Sequence, residues 1–333
     1  MNLKISNNDD TVVFFSEWGA SITRWYTPDK NGRKINIVLG YDNEKNYKSN
    51  PLYLGSTAGR YANRIKNGQF LLGKRKIQLK TNDNGHHLHG GPKGFSSQKW
   101  SLCEVSDSKI SFKLVSPDND QGYPGEIETI IIYKLNEENE LSINYKCISN
   151  RDTIVNLTHH SYFNLDGENS NDILDHLLFI NAKYYTEIDS DLIPTGKAVL
   201  VDDTPLDFRR PITIGKRIAN NFNQLTYAGG YDHNYVINID EDKKLNLAAK
   251  LYSRTSGLEM SVKTDLPGIQ FYSGNFLDGV YNDIEGMPLT KHRGLCLEPQ
   301  FFPDSPNNKH FPSPVLKKGE LYNHTIKYSL STK

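Results

Sequence analysis

The chain has 333 residues, 39 of them Lys or Arg and 39 Asp or Glu, so its formal net charge is zero. This balance excludes a broad electrostatic surface for nucleic acid or an anionic membrane, and we expect neither as a partner. Its 25 glycines and 15 prolines are an ordinary share for a globular protein and exclude collagen-like and low-complexity chains.

Cysteine usage and the N-terminal segment indicate where the protein works. Cys103, Cys147 and Cys296 are odd in number and widely spaced, which favours reduced thiols over a disulfide framework. The first ten residues lack the apolar stretch of a signal peptide. No apolar run approaches the roughly 20 residues of a membrane-spanning helix. We therefore predict a cytoplasmic protein.

Runs of alternating, β-branched and aromatic residues predict strands along most of the chain. In chain order they occupy residues 11–27 (two strands broken near Gly19), 69–72, 75–79, 109–115, 128–135, 141–148, 245–252 and 258–264. Tight turns between neighbouring runs, such as Gly73-Lys74, predict hairpins. Only residues 211–223 suggest a short helix. We predict one all-β domain over residues 1–333, a large antiparallel β-sandwich without helical crossovers.

A carboxylate near the C-terminal end is a candidate general base. If residues 295–298 are extended, Glu298 shares a face with Cys296 while the two leucines point the other way. A carboxylate among such neighbours is partly desolvated, which raises its pKa and makes it a better base near neutrality. A structural carboxylate paired with an arginine is the alternative that this segment leaves open.

The same parity argument separates two adjacent histidines. On an extended chain His159 lies with Val155 and Leu157 on the apolar face, which indicates a packing residue. His160 lies on the polar face, where an imidazole is the natural proton donor near pH 7. A purely structural role for His160 remains an alternative at this stage.

Three further histidines invite comparison with a metal site. His86, His87 and His89 include an H-x-H pair, but Pro92 and Lys93 stand where a cupin would carry a glutamate. His89 precedes Gly90-Gly91, which fits a hydrogen-bonding ligand on a tight turn better than a metal ligand. We predict no metal and no cofactor.

Six stretches together resemble the aldose 1-epimerase (galactose mutarotase) family, in family order and across most of the chain. They are GRYANRI at 59–65, LHGG at 88–91, HSYFNL at 160–165, YDHNYV at 231–236, PGIQFYSGNF at 267–276 and LEPQFFPDSPN at 297–307. The resemblance implies a large β-sandwich with an open sugar-binding cleft. It also implies cofactor-free interconversion of the α and β anomers of hexoses such as galactose and glucose.

The resemblance also assigns roles to individual positions. Glu298 matches the family's general base and His160 its general acid. The positions that match those holding sugar hydroxyls or the ring oxygen are Asn63, Arg64, His89, Asp232 and Gln270. His159, Pro299 and Phe301 depart from the family pattern, which commonly has Asn, Thr and His there, so the preferred sugar stays open.

The expected partner is a small sugar, and the oligomeric state, monomer or homodimer, stays open. Mutarotation removes the proton of the anomeric hydroxyl and protonates the ring oxygen, so it needs one carboxylate and one imidazolium across the sugar. Two further alternatives are a non-catalytic sugar-binding module, which has no need of an acid and a base, and a hexose-phosphate epimerase. The latter needs an arginine cluster, for which Arg60 and Arg64 are the candidates. A metal-dependent enzyme is the least favoured alternative.

Overall fold

Strands dominate the computed structural model, which describes residues 3–167, 170 and 172–333. Nine antiparallel strands form the large sheet, in which the longest strands pair over seven to nine residues. Their spatial order is Ser101–Val105, Lys109–Ser116, Ile127–Leu135, Glu140–Ser149, Leu321–Thr332, Leu258–Thr264, Asn246–Tyr252, Leu177–Ile180 and Ile212–Thr213.

A second sheet of five strands contains three candidate site residues, Asp232, Gln270 and Glu298. Its order is Pro194–Leu200, Ala182–Ile188, Asp232–Ile237, Gly268–Tyr272 and Cys296–Gln300. A third sheet joins four N-terminal strands in sequence order, Leu3–Ser6, Val12–Ser16, Ser21–Pro28 and Lys34–Asn36.

Short paired strands complete the β structure. The pairs are Thr57–Ala58 with Thr158–His159, Arg64–Ile65 with His87–Leu88, Gln69–Leu72 with Arg75–Gln78, Thr153–Ile154 with Val315–Leu316, and Asp278–Asn282 with Pro288–Thr290. The α-helix of the described chain is Asn223–Ala228. Single 3₁₀ turns lie at Glu44–Lys48, Lys66–Gly68, Phe95–Ser97, Asp120–Gly122, Ile214–Lys216 and Ser305–Asn307.

One apolar core is shared by the three sheets. Ile131 of the large sheet, Phe271 of the five-stranded sheet and Trp25 of the N-terminal sheet all belong to one buried cluster. The hydroxyl of Tyr328 in the large sheet donates to the carbonyl of Leu297 in the five-stranded sheet at 3.1 Å. Residues of all three sheets therefore pack into this core.

The all-β prediction is confirmed, and the predicted hairpins occur with boundaries shifted by a residue or two. The sandwich arrangement and the single domain stay predictions, although the shared core agrees with both. Among the described residues, no helix has the length and apolar character needed to cross a lipid bilayer.

The helix predicted over residues 211–223 is wrong. Ile212–Thr213 instead adds an edge strand to the large sheet by pairing with Leu177 and Leu178, and Ile214–Lys216 makes one 3₁₀ turn. The β-branched residues suit a pleated surface better than a helix. The α-helix begins where the prediction ends, at Asn223.

Candidate active site

A cleft of about 570 Å³, a volume that includes its open mouth, lies beside one end of the five-stranded sheet. Six side chains that line it were expected from the sequence: Asn63, Arg64, His89, His160, Asp232 and Glu298. They come from five separate parts of the chain, which the fold brings together. The volume is in the range of sites for small molecules.

Glu298 lies at the bottom of the cleft in the strand Cys296–Gln300, and it is only 2% exposed. Its Oε2 is buried and has no hydrogen-bond partner in the described part of the chain. Burial, reinforced by the nearby Asp232 carboxyl, raises the pKa of Glu298 well above its usual value. Such a carboxyl binds a proton readily, as a general base near neutral pH requires.

His160 faces Glu298 across 3.7 Å, measured from its Nε2 to the carboxyl Oε2. Its other ring nitrogen, Nδ1, lies 3.5 Å from the thiol sulfur of Cys296. Burial lowers the pKa of His160 to about 4. The sequence predicts an acid and a base across a sugar-sized gap, whereas the structure places His160 and Glu298 side by side. Such closeness would suit the predicted mutarotation, because the anomeric hydroxyl and the ring oxygen are bonded to the same carbon.

The neighbouring His159 lies outside the cleft, as parity predicts. Its ring packs edge-on against Tyr133 at 5.8 Å, in the core beneath the large sheet. Nδ1 of His159 is 3.1 Å from the hydroxyl of Ser161, whereas its buried Nε2 has no hydrogen-bond partner among the described residues. The two histidines therefore differ in surroundings: one fills the core, and the other faces a buried carboxyl.

Arg64 and Asp232 form the opposite side of the cleft. The Nε of Arg64 donates to Oδ2 of Asp83 at 2.8 Å, and its Nη1 lies 3.8 Å from Oδ2 of Asp232. Gln270 donates through Nε2 to Oδ1 of Asp232 at 2.7 Å. Burial raises the pKa of Asp232, while Arg64 and Gln270 act against that rise. These contacts fix the guanidinium and the carboxyl in one geometry.

Gln270 holds Asp232 from outside the cleft lining. It is 3% exposed and lies opposite Glu298 in the pairing of neighbouring strands. Gln300 donates to its Oε1 at 3.1 Å, which orients the amide so that its nitrogen faces Asp232. The structure thus places Gln270 behind Asp232, outside the cleft lining.

Asn63 and His89 support one another in left-handed backbone conformations, with φ of 64° and 49°. The backbone N–H of Asn63 donates to Nδ1 of His89 at 3.1 Å, and Oδ1 of Asn63 accepts from the N–H of Arg64 at 2.8 Å. Because Nδ1 of His89 accepts, the neutral ring carries its hydrogen on Nε2. Burial lowers the pKa of His89, so this neutral donor persists at neutral pH.

The other two histidines of this segment do not form a metal site with His89. Both ring nitrogens of His87 are engaged, by the carbonyl of Lys80 and the hydroxyl of Tyr123, each at 2.6 Å. Nδ1 of His86 accepts from the N–H of Asn67 at 3.0 Å. These contacts give the histidines structural roles.

Sequence reasoning missed one ionic partner and the aromatic lining. Asp83, which orients Arg64, lies in a polar turn that carries no motif. Tyr53, Tyr162, Tyr272 and Phe276 also line the cleft, and Phe276 is 55% exposed. Tyr272 and Phe276 stack with ring centroids 6.0 Å apart. Both belong to the stretch 267–276, where two aromatic residues beside a glycine turn could have signalled a sugar-stacking surface.

All three departures from the family pattern stand outside the described residues that line the cleft. Phe301 packs against His324 with ring centroids 5.6 Å apart, and Pro299 pairs with Ile269 inside the sheet. His159 lies in the core. None of the three is among the described residues that line the cleft.

The chain resembles known proteins in both sequence and structure. A sequence profile of the family described as aldose 1-epimerase matches residues 1–329. The galactose mutarotase of Bos taurus is 39% identical over 324 residues, which cover 97% of this chain and 92% of that protein. The aldose 1-epimerase of Escherichia coli K12 is 36% identical, over 98% of this chain and 94% of that one.

Solved structures of proteins with similar names also resemble this chain. An aldose epimerase homologue from C. elegans superimposes with a TM-score of 0.92 at 29% identity, covering 100% of this chain and 99% of that one. The galactose 1-epimerase of Lactobacillus acidophilus gives a TM-score of 0.86 at 26% identity, over 99% and 93% of the two chains.

Proposed function

Because the chain belongs to the aldose 1-epimerase family, and is thus an isomerase, we propose that it interconverts the α and β anomers of free hexoses, galactose and glucose first. Glu298 is the general base and His160 the general acid. The observation that carries this assignment is the buried pair at the bottom of the cleft, whose Oε2 and Nε2 lie 3.7 Å apart.

The reaction needs two proton transfers at one carbon. Glu298 takes the proton of the anomeric hydroxyl while His160 gives a proton to the ring oxygen, and the C1–O5 bond breaks to leave an open-chain aldehyde. Rotation about C1–C2 turns the other face of the carbonyl toward the ring oxygen. Return of both protons then closes the ring as the opposite anomer, with no net change in the enzyme.

Burial supplies part of the driving force for ring opening. Before opening, the pair is a carboxylate and an imidazolium, two charges that a buried site penalises. Opening converts it to a neutral carboxylic acid and a neutral imidazole. The raised pKa of Glu298 and the lowered pKa of His160 both favour that neutral state. Starting from the charged pair, desolvation therefore favours the two proton transfers that open the ring.

The opposite side of the cleft would hold the sugar while its ring is open. Arg64 donates a fixed fork of N–H groups, Asp232 accepts from hydroxyls, and neutral His89 donates through Nε2. Fixed hydroxyls matter because the open-chain intermediate has several freely rotating bonds. The exposed ring of Phe276 offers an apolar surface for the C–H face of the sugar.

A non-catalytic sugar-binding module fits these observations less well. A buried carboxyl oxygen without a partner costs stability, and a protein that only binds sugar has no use for it. A hexose-phosphate epimerase is also disfavoured. Arg60 is turned away from the cleft and donates to the carbonyls of Ser116, Pro117, Pro124 and Gly125. The other candidate, Arg64, faces the carboxyls of Asp83 and Asp232. These offset its positive charge and leave little to attract a phosphate.

Polarimetry on freshly dissolved α-D-galactose and α-D-glucose tests the proposal. Wild type is expected to speed the relaxation of optical rotation beyond the buffer rate, and Glu298→Gln to lose about 10²–10⁴-fold in kcat. Glutamine keeps the shape of the side chain but cannot take the proton.

Three results would contradict the proposal in whole or in part. Sugar binding by wild type with no acceleration indicates a binding module. Acceleration of hexose 6-phosphates but not of free hexoses indicates the phosphate enzyme. A Glu298→Gln variant with wild-type turnover would show that Glu298 is not the general base, although mutarotation by the wild type would stand.

A further inference from the structure

Cys296 is a buried thiol within the candidate active site that the proposed proton transfers do not use. It is fully buried in the first position of the strand that carries Glu298, two residues further along. Alternation places both side chains on the same face of the strand. The thiol is therefore held beside the acid–base pair without lining the cleft itself.

The imidazole of His160 is held between two side chains of one strand. Its Nδ1 lies 3.5 Å from Sγ of Cys296, a normal distance for a hydrogen bond to sulfur, and its Nε2 lies 3.7 Å from Oε2 of Glu298. The backbone is fixed as well, because the N–H of His160 donates to the carbonyl of Ser56 at 2.8 Å. Each ring nitrogen thus faces a different partner.

We propose that Cys296 is a positioning residue for mutarotation: its sulfur accepts the Nδ1–H of His160 and so keeps Nε2 as the nitrogen that exchanges a proton with the sugar ring oxygen. The inference rests on the proposed function for its catalytic meaning, but the hydrogen bond can be tested without it. In both the imidazolium and the neutral ring left after proton donation, Nδ1 keeps its hydrogen. The contact to sulfur therefore persists through the reaction.

A second observation points to the same tautomer. Oε2 of Glu298 is buried and has no other partner in the described part of the chain. With Nδ1–H directed at sulfur, the lone pair of Nε2 faces this oxygen. A single proton can then sit between carboxyl and imidazole in the free cleft, which satisfies both buried groups. In the other tautomer the His160 ring carries its hydrogen on Nε2, and the thiol of Cys296 donates to Nδ1. The protonated carboxyl of Glu298 would then face an N–H group instead of a lone pair.

A thiol suits this position better than a carboxylate would. Burial and the nearby Glu298 and Asp232 carboxyls raise the pKa of Cys296 well above its usual value, so the sulfur stays neutral. A neutral acceptor orients the ring without the strong stabilisation of imidazolium that an aspartate gives. His160 therefore remains acidic enough to protonate a weakly basic ring oxygen.

Two measurements on Cys296→Ser, Cys296→Ala and Cys296→Val test the proposal. The ¹⁵N chemical shifts of the His160 ring, assigned by their loss in His160→Asn, should show the Nδ1–H tautomer in wild type and in Cys296→Ser. Cys296→Ala and Cys296→Val should shift the ring toward Nε2–H. In polarimetry these two should lose about 10-fold in kcat with little change in KM, and serine should recover most of the loss.

Cys147→Ala is the matched control, because Cys147 is also fully buried but lies in the large sheet. It should lower thermal stability without changing kcat or the His160 tautomer. Valine fills the volume that alanine leaves empty, so a loss in alanine alone would indicate packing and overturn the proposal. A wild-type ring with its hydrogen on Nε2 would also overturn it. If wild type proved inactive on every sugar, the proposed function would fail, while the ¹⁵N result would still decide the hydrogen bond.

Discussion

The two sides of the cleft differ in how their charged groups are partnered. On one side, Arg64 contacts Asp83 and Asp232, and Asp232 in turn accepts from Gln270. On the other side, Oε2 of Glu298 lacks any hydrogen bond in the described residues and has His160 Nε2 near it at 3.7 Å. Both sides are buried, so burial alone does not explain the difference.

This contrast separates holding a sugar from reacting with it. Groups fixed by neighbours keep their geometry and charge, which suits the recognition of hydroxyls. A group without a partner pays the desolvation cost in full and binds a proton readily, which suits proton transfer. Substitutions on the two sides should therefore have different kinetic signatures.

The largest effect is expected at His160, with His159 as its neighbour-matched control. His160→Asn removes the proton donor and should lower kcat by about 10²–10⁴-fold. His159→Asn alters a core contact to Tyr133 and should cost thermal stability with little loss of kcat. Polarimetry beside thermal unfolding separates the two. Equal losses of kcat in both variants would show that parity assigns the histidines wrongly.

A smaller effect is expected at Arg64. Arg64→Lys replaces a planar fork that faces two carboxyls by a single ammonium group. Loss of one or two charge-assisted hydrogen bonds to the sugar should lower kcat/KM by about 10–100-fold, mainly through KM. Initial rates at several galactose concentrations measure this. A fall confined to kcat would instead place Arg64 with the reacting groups.

Burial raises the pKa of Glu298, and the charge of Asp232 adds to that rise, so Asp232 connects the two sides. Asp232→Asn keeps an acceptor for Gln270 but removes that charge, so the pKa of Glu298 should fall. Activity depends on ionised Glu298 and is lost as pH drops through its pKa. The acidic limb of the kcat/KM profile should therefore move to lower pH, whatever happens to KM. An unmoved limb would mean that another group sets it.

Much of the fold could be predicted from the sequence, because strands with one buried face alternate in polarity. The hairpin of Ile127–Leu135 with Glu140–Ser149 follows directly from such a pattern and its polar turn. Residues 212–216 could not be assigned this way, because a short apolar run without clear periodicity fits a helix or an edge strand equally well.

Sequence reasoning could place together those candidate site residues that share a strand or a motif. Glu298 and Cys296 follow from alternation, and Arg64 and Asp232 from the family resemblance. The ion pair of Arg64 with Asp83 could not be predicted, since it depends on a turn with no characteristic sequence. The position of Gln270 behind Asp232 likewise depends on strand register, which a single sequence does not determine.

The smallest effect concerns stability, and it tests the unpartnered carboxyl independently of any sugar. The folded-state pKa of Glu298 lies above its usual value of 4.5, so the folded protein binds a proton that the unfolded chain has already released. This proton binding stabilises the folded state. The stabilisation is fully present below pH 4.5 and is lost as pH rises through the folded-state pKa of Glu298. Burial lowers the pKa of His160 from 6.5 to about 4. Its contribution to folding stability therefore rises with pH between those two values and does not change above pH 6.5.

Glu298→Gln should therefore be more stable than wild type at neutral pH, by on the order of 1 kcal/mol, with a difference that grows as pH rises above 4.5. Urea unfolding at a series of pH values measures it. Glu241→Gln, on an exposed loop, is the control and should show no such trend. A Glu298→Gln variant that is less stable at every pH would mean that the carboxyl makes a favourable contact in the fold. The contrast between the two sides of the cleft would then fail, because Glu298 would be held by a partner as Asp232 is.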